Sequence, residues 1–223
     1  MTPVPFVSKE GTMIIDTHFH AFPERYLELV PEQSRNDVRG VGFHAFDHQE
    51  YLDVMDRYGV DVGVLSNTGG RIEQGGDRAR AREHCRIIND AFAEAHAKHP
   101  KRFKAFARLP MVDMDDCARE LERCMKDLNM HGVILSTNLA GKYLDEPEFK
   151  PFWEAMAASG KPLFLHPANA PCQANWNKYS VHQKILWPTD STLAISRTRN
   201  PQTAMVWDAT GPRYVPCSDP TVL

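Results

Sequence analysis

The sequence predicts an α/β fold in which helices cover a largely parallel sheet, and three observations support this. Along the 223 residues, the hydrophobic pattern alternates between a strand-like and a helix-like period. The predicted strands are short and wholly apolar, as strands buried on both faces of a parallel sheet require. Hydrophobic residues make up 42% of the chain and charged residues 25%, which suffices for one large core. The alternation alone fits either a closed barrel or an open, doubly wound sheet.

The first half of the chain begins with the apolar run Met13 to Ile15, which leads into the polar motif Asp16 to His20. The stretch before Gly59 has the spacing of an amphipathic helix, and glycine is a typical residue at a helix end. In chain order we expect a strand from 13, an irregular stretch over 21–47, a helix over 48–58, a strand over 60–65 and a glycine-rich loop over 66–76.

The second half continues the alternation, with apolar steps of three and four in helices and unbroken apolar runs in strands. In chain order we expect a helix over 77–98, a strand over 103–109, a helix from 113 with Leu128 on its buried stripe, a strand over 132–135, a helix around 149–156 and a strand over 162–165. The predicted organisation is a flexible lead-in over 1–12, an α/β body over 13–197 and a divergent tail over 198–223.

The composition excludes several classes of protein. A net charge of −3 gives no electrostatic case for nucleic acid or an anionic membrane as a partner. No apolar run approaches the roughly 20 residues that span a bilayer, and no secretory signal is visible. The five cysteines lack close pairs, and Cys85, Cys117 and Cys124 fall on predicted apolar helix faces. We therefore expect buried thiols and a reducing, cytoplasmic location.

Three histidines stand at the ends of predicted strands. His18 and His20 alternate along the first strand, so their side chains should project to the same side. His166 directly follows the apolar run 162–165. An HxH pair alone is more often a solvated strand end, but burying three imidazoles would be costly unless one metal ion bound them all. The third histidine therefore favours a divalent metal site, with His44 and His182 as weaker candidates.

Two stretches of the sequence resemble the amidohydrolase superfamily, and most closely its aminocarboxymuconate-semialdehyde decarboxylase branch. They are IDTHFH at 15–20 and LSTNLAGKYLDEPEFKPFWEAMAASGKPLFLHP at 135–167. The likeness extends from about Met13 to Arg197. It implies a TIM-type (β/α) barrel with one divalent metal ion, zinc in the first place and manganese as the alternative.

The resemblance also implies which residues bind the metal. The ligands are His18, His20 and His166. The predicted fourth strand, 131–136, has no lysine that could bridge a second metal, and Lys142 lies beyond it in a loop, so a single ion is favoured.

The resemblance ends near Arg197. In the family, the sixth strand supplies a histidine that acts as acid or base, and the eighth strand supplies an aspartate ligand. Residues 198–223 contain no histidine and no clear strand–helix alternation, and we do not assign Asp219 as a ligand. Too few residues follow His166 for three more units of a barrel of about 250 residues. We therefore expect an incomplete barrel of about five units, C-terminally truncated, with no proton donor assigned.

The function implied by the resemblance is metal-dependent, non-oxidative decarboxylation of an aromatic or unsaturated carboxylic acid, with that small acid as the partner. The predicted substrate-binding residues are Arg25, Arg39 and Trp176, with Arg35, Phe22 and Tyr179 as alternatives. Two other functions stay open: a metal-dependent hydrolase of a lactone or amide, and a truncated, non-catalytic isoform. A homo-oligomer is compatible with each of them.

Overall fold

The computed structural model describes residues 12–32, 35, 42–68 and 76–168, and the backbone alone of 203–208 and 211–216. The strands are β1 (Ile15–His20), β2 (Val62–Ser66), β3 (Phe103–Ala107), β4 (Gly132–Ser136), β5 (Asn138–Leu139), β6 (Lys142–Tyr143), β7 (Leu163–His166), β8 (Thr203–Asp208) and β9 (Gly211–Pro216). The helices are α1 (Glu24–Leu29), α2 (His48–Tyr58), α3 (Arg78–Lys98), α4 (Met114–Lys126) and α5 (Lys150–Ser159), with a 3₁₀ turn at Pro147–Phe149. The predicted alternation of strand and helix is confirmed.

Five strands form one sheet in the order β1-β2-β3-β4-β7. The first three pairs of neighbours are parallel, with His20 level with Ser66 and Phe106 level with Gly132. Each strand of this sheet lies beside the one before it in the order, and a helical crossover connects the two. The strand order runs in one direction throughout, whereas in a doubly wound sheet it reverses. The fold is therefore the expected α/β class, in the arrangement of about five consecutive units of a TIM-type barrel.

Burial differs between the inner and outer strands of this sheet. β2 is buried along its whole length, and β3 and β4 each have a single half-buried residue. In contrast, β7 is half-buried throughout, and β1 is half-buried or exposed, with Ile15 52% exposed. The prediction that every strand is buried on both faces is wrong for these two, because they are the outer strands of the five.

One face of the sheet carries a small apolar cluster. Val64, Phe106 and Ile134 from the three inner strands are buried together, and Phe164 of β7 packs against them. Gly132 makes room for this packing, since a Cβ atom there would lie 2.8 Å from the Phe106 ring. Residues two apart in a strand share a face, so the residues two positions beyond these four stand on the same face at the carboxyl ends of the strands.

Aspartate side chains determine where three helices begin. Asp47, Asp77 and Asp113 each accept a hydrogen bond from a backbone N–H three residues later, at the starts of α2, α3 and α4. Gly59 ends α2 in the left-handed conformation, with φ of 69°. The helix predicted over 48–58 is confirmed, and the next two begin one residue later than predicted because their first predicted residue is the cap.

Two local predictions are wrong. The stretch over 21–47, expected to be irregular, contains α1, whose six residues are too few to show a helical period. Leu128 lies beyond the end of α4 at Lys126 and is half-buried, so it does not belong to the helix stripe. The stripe itself is confirmed by Cys117 and Cys124, which are buried.

The chain packs into two units, residues 1–135 with 151–165 and residues 136–150 with 166–223. The first holds nearly all of the five-stranded sheet and its helices. In the second, β5 pairs antiparallel with β6, and β8 pairs antiparallel with β9. The described part of the tail, 203–208 and 211–216, is thus an antiparallel pair of strands within the second unit. Among the helices that the structure describes, none has the length and apolarity to cross a bilayer.

Candidate metal centre

β1 carries two histidines on one side, as the alternation of an extended strand predicts. The ring centroids of His18 and His20 lie 4.6 Å apart, with an interplanar angle of 85°. Their Nε2 atoms are 2.9 Å apart. The Asp16 carboxylate accepts a hydrogen bond from the His18 backbone N–H at 2.9 Å. Two ring nitrogens therefore converge at the carboxyl end of β1, the end at which barrel enzymes place their active sites.

The third histidine, His166, is the last residue of β7. Its backbone C=O accepts a hydrogen bond of 2.9 Å from the N–H of Thr137, directly after β4. One ring nitrogen from each of His18, His20 and His166 lies within 4.8 Å of the other two. Over the described ranges, no other group of three or more His, Cys, Asp or Glu side chains has such convergent ligand atoms. Three histidine nitrogens are a ligand set that zinc sites in proteins use.

The three rings are more accessible than the sequence led us to expect. His18 is exposed, and His20 and His166 are half-buried. The expectation that three buried imidazoles need a metal to offset their burial is therefore wrong, because β1 and β7 are outer strands. The argument for a metal centre depends on the convergence of the ring nitrogens instead.

His20 is held at both its ring and its backbone. Its Nδ1 lies 3.1 Å from the hydroxyl oxygen of Ser66, and its backbone C=O accepts a hydrogen bond of 2.9 Å from the Tyr51 hydroxyl. Burial, and after it the neighbouring His18, lowers the pKa of His20 to about 4. The imidazole is therefore neutral at pH 7, which is the state that binds a metal ion.

The predicted substrate-binding residues differ in exposure and in the groups that they contact. Arg25 is exposed on α1. The guanidinium of Arg35 donates to the backbone C=O of Val30 at 2.8 Å, next to the end of the same helix. Phe22 is buried and stacks on Phe43 with ring centroids 4.1 Å apart. The weaker metal-site candidate His44 is exposed. The other candidates, Arg39, Trp176, Tyr179 and His182, lie outside the described residues, as does Asp219, which the sequence did not assign as a ligand.

A buried cation, Arg108, directly follows β3 and is not among the predicted site residues. It is 1% exposed. The side-chain amide of Asn89 on α3 bonds both the N–H and the C=O of Arg108, each at 2.8 Å. Arg108 is two residues beyond Phe106, so alternation places it on the face of the apolar cluster, toward the carboxyl ends of the strands. The sequence signal for Arg108 is its position directly after an apolar strand. Arginines are seldom fully buried, so this position is unusual.

Comparisons with known proteins bear on both fold and chemistry. Residues 15–210 match the family model described as amidohydrolase. A gamma-resorcylate decarboxylase from Polaromonas sp. is 34% identical over 188 residues, which cover 80% of this chain and 56% of that protein. The chain thus spans a little more than half the length of this curated relative.

Two solved decarboxylase structures are also similar. The 5-carboxyvanillate decarboxylase from Sphingomonas paucimobilis has a TM-score of 0.73 at 25% identity, covering 83% of this chain and 62% of that one. A dihydroxybenzoic acid decarboxylase from Polaromonas sp., with bound manganese and the inhibitor 2-nitroresorcinol, has a TM-score of 0.66 at 29% identity, covering 83% and 59%. These likenesses agree with the barrel units indicated by the strand order.

Proposed function

Because the chain belongs to the amidohydrolase family, we propose that it carries the metal-binding half of a metal-dependent, non-oxidative decarboxylase of aromatic carboxylic acids. The observation that carries this proposal is the convergence of three imidazole nitrogens at the carboxyl end of a parallel sheet. The similarity to gamma-resorcylate and dihydroxybenzoic acid decarboxylases supports this class of reaction. The substrate would be a small aromatic acid with oxygen substituents beside the carboxylate.

The donor set fits a single divalent ion. His18, His20 and His166 would supply three neutral nitrogens and leave coordination positions for oxygen ligands. Imidazole nitrogen suits zinc, whereas manganese prefers oxygen ligands and binds nitrogen less tightly. Zinc is therefore our first choice, and manganese, the ion in the Polaromonas structure, is the alternative. When bound, such an ion would hold and polarise oxygen atoms of the substrate.

A cation must also hold the negative charge of the substrate. Arg25 and Arg39 remain candidates for this role, and Trp176 for the aromatic wall, as the sequence suggested. Arg108 is a further candidate, because a guanidinium binds a carboxylate through two parallel hydrogen bonds. Its burial would strengthen such bonds by excluding water.

The reaction replaces a carbon–carboxylate bond with a carbon–hydrogen bond, so a proton must reach that carbon. We assign no described residue as its donor. The buried thiols of Cys85, Cys117 and Cys124 suit the reducing cytoplasm that we propose as the location. A homo-oligomer stays a prediction.

Metal-stripped protein resupplied with Zn²⁺ or Mn²⁺ tests the proposal. We expect metal-dependent release of carbon dioxide and resorcinol from 2,6-dihydroxybenzoate, measured by gas analysis and chromatography, and its loss in His166→Ala. Hydrolysis of an aromatic lactone without gas release would favour the hydrolase alternative. Absence of both activities in protein shown to bind metal would favour the non-catalytic alternative.

A further inference from the structure

The hydroxyl group of Ser66 lies between the side chain of one candidate ligand and the backbone of β1. Ser66 ends β2, is fully buried and is level with His20 in the parallel pair of strands. Its Oγ is 3.1 Å from the His20 Nδ1 and 3.3 Å from the backbone oxygen of Phe19. One hydroxyl group therefore joins the ring of His20 to the peptide carbonyl that precedes it.

The number of hydrogen atoms available determines which group donates in each of these two hydrogen bonds. A carbonyl oxygen only accepts, so the single hydroxyl proton of Ser66 is donated to Phe19. The Ser66 oxygen can then only accept from the ring, and the His20 Nδ1 must carry a hydrogen. A neutral imidazole has one N–H, so the Nε2 of His20 carries the lone pair.

The nitrogen with the lone pair is the one that faces the candidate metal centre. The His20 Nε2 lies 2.9 Å from the Nε2 of His18. The Tyr51 hydroxyl bonds the His20 backbone oxygen and so restricts the main chain from which the ring projects. Two hydroxyl groups thus contact His20, that of Ser66 at the ring and that of Tyr51 at the main chain.

We propose that Ser66 is a positioning residue that selects the Nδ1–H tautomer of His20 and so presents Nε2 to a divalent metal ion. This inference rests on the proposed metal centre and does not depend on which reaction the centre catalyses. Outer groups that orient a metal-binding histidine typically affect metal affinity by about 10- to 100-fold. Ser66 is such an outer group, because its hydroxyl group contacts His20 at Nδ1, the ring nitrogen that does not face the metal centre.

The test compares Ser66→Ala, which removes the hydroxyl group, with Ser66→Thr, which keeps it. Nitrogen-15 NMR of the imidazole rings in metal-free protein at pH 7.5 reports the tautomer of His20, and titration with Zn²⁺ reports affinity. For Ser66→Ala we expect a mixed tautomer population and a dissociation constant higher by about 10- to 100-fold. For Ser66→Thr we expect values near wild type.

Ser159→Ala is the matched control, because the Ser159 hydroxyl donates to the Met156 carbonyl at 2.7 Å, a bond within the α5 segment. It should leave tautomer and Zn²⁺ affinity unchanged. An unchanged His20 tautomer and affinity in folded Ser66→Ala would overturn the inference. The NMR measurement needs no turnover, so a failed decarboxylase assay would leave this result standing and would refute only the proposed reaction.

Discussion

Two groups of histidines lie at opposite ends of one parallel sheet. At the carboxyl ends of β1 and β7, three rings bring their nitrogens together. Near the amino ends of β3 and β4, four other histidine rings meet edge to edge in two pairs. Their centroids are 5.6 Å apart for His48 with His99 and 4.7 Å apart for His96 with His131.

The second group contributes to the fold. The His96 Nδ1 lies 2.7 Å from the backbone oxygen of Phe103, as a donor to that carbonyl. The His131 Nδ1 is buried without a hydrogen-bond partner in the described structure. Burial, and after it the adjacent His96, lowers the pKa of His131 to about 4. The comparison teaches that the number of neighbouring histidines does not make a metal centre. Convergence of their nitrogens at the end where barrel enzymes bind substrates is the informative feature.

The largest effect should come from removing a converging ring. His166→Ala deletes one of three proposed ligands, so we expect the Zn²⁺ dissociation constant to rise more than about 100-fold, beyond the effect of losing an outer group. Calorimetric titration and metal analysis by mass spectrometry measure this. His96→Ala, at the other end of the sheet, should keep wild-type metal content. Equal metal occupancy in His166→Ala and wild type would contradict the assignment of the carboxyl-end histidines as the metal centre.

A smaller effect is expected from substituting Arg108, the buried cation on the face of the apolar cluster. If Arg108 binds the substrate carboxylate, Arg108→Met removes a charged hydrogen bond of about 2 kcal/mol and raises KM about 30-fold. Arg108→Lys keeps the charge and should lose less. Lys104→Met is the matched control, because Lys104 lies near the amino end of the same strand and donates to the Pro100 carbonyl. Urea unfolding separates lost stability from lost binding, and an unchanged KM in folded Arg108→Met would exclude the contact.

The histidine group at the amino ends of β3 and β4 should make the free energy of unfolding depend on pH. The pKa of His131 is about 4 in the folded protein, against about 6.5 unfolded, so the unfolded chain takes up the proton first. Stability from this group is complete above pH 6.5 and declines as the pH falls toward 4. We expect a loss of about 1 kcal/mol, kept small because water partly screens the half-buried ring.

Urea unfolding at pH 7.5 and 4.5 measures this loss. His131→Gln should flatten the pH dependence, whereas His44→Gln, at an exposed position, should leave it as in wild type. An identical pH dependence in wild type and His131→Gln would show that His131 is not a source of acid sensitivity.

The smallest effect is expected for His48→Gln. His48 begins α2, and its half-buried ring touches Phe46 and His99 only through edge or tilted contacts. We expect a change of less than about 1 kcal/mol in the free energy of unfolding and none in metal content. Loss of metal from this variant would mean that the two ends of the sheet are coupled, and metal analysis beside wild type decides it.

Much of the fold could be predicted from the sequence, because the signals are local. The aspartates that cap α2, α3 and α4 and the apolar runs of the inner strands lie within the elements that they define. The short helix α1 and the hairpin of β8 and β9 gave no comparable signal. The His18 and His20 pair was predictable because alternation along one strand puts both rings on one side.

The order of strands and helices, and the choice of histidines at strand ends, follow from local periodicity and residue type. Packing between distant segments decided the rest. It placed His166 beside two rings far away in the chain, buried Arg108 and the Ser66 hydroxyl, and left β1 and β7 as outer strands with accessible histidines. These outcomes depend on which strands become neighbours. The residue pattern of one segment contains no information about how far that segment lies from another in space.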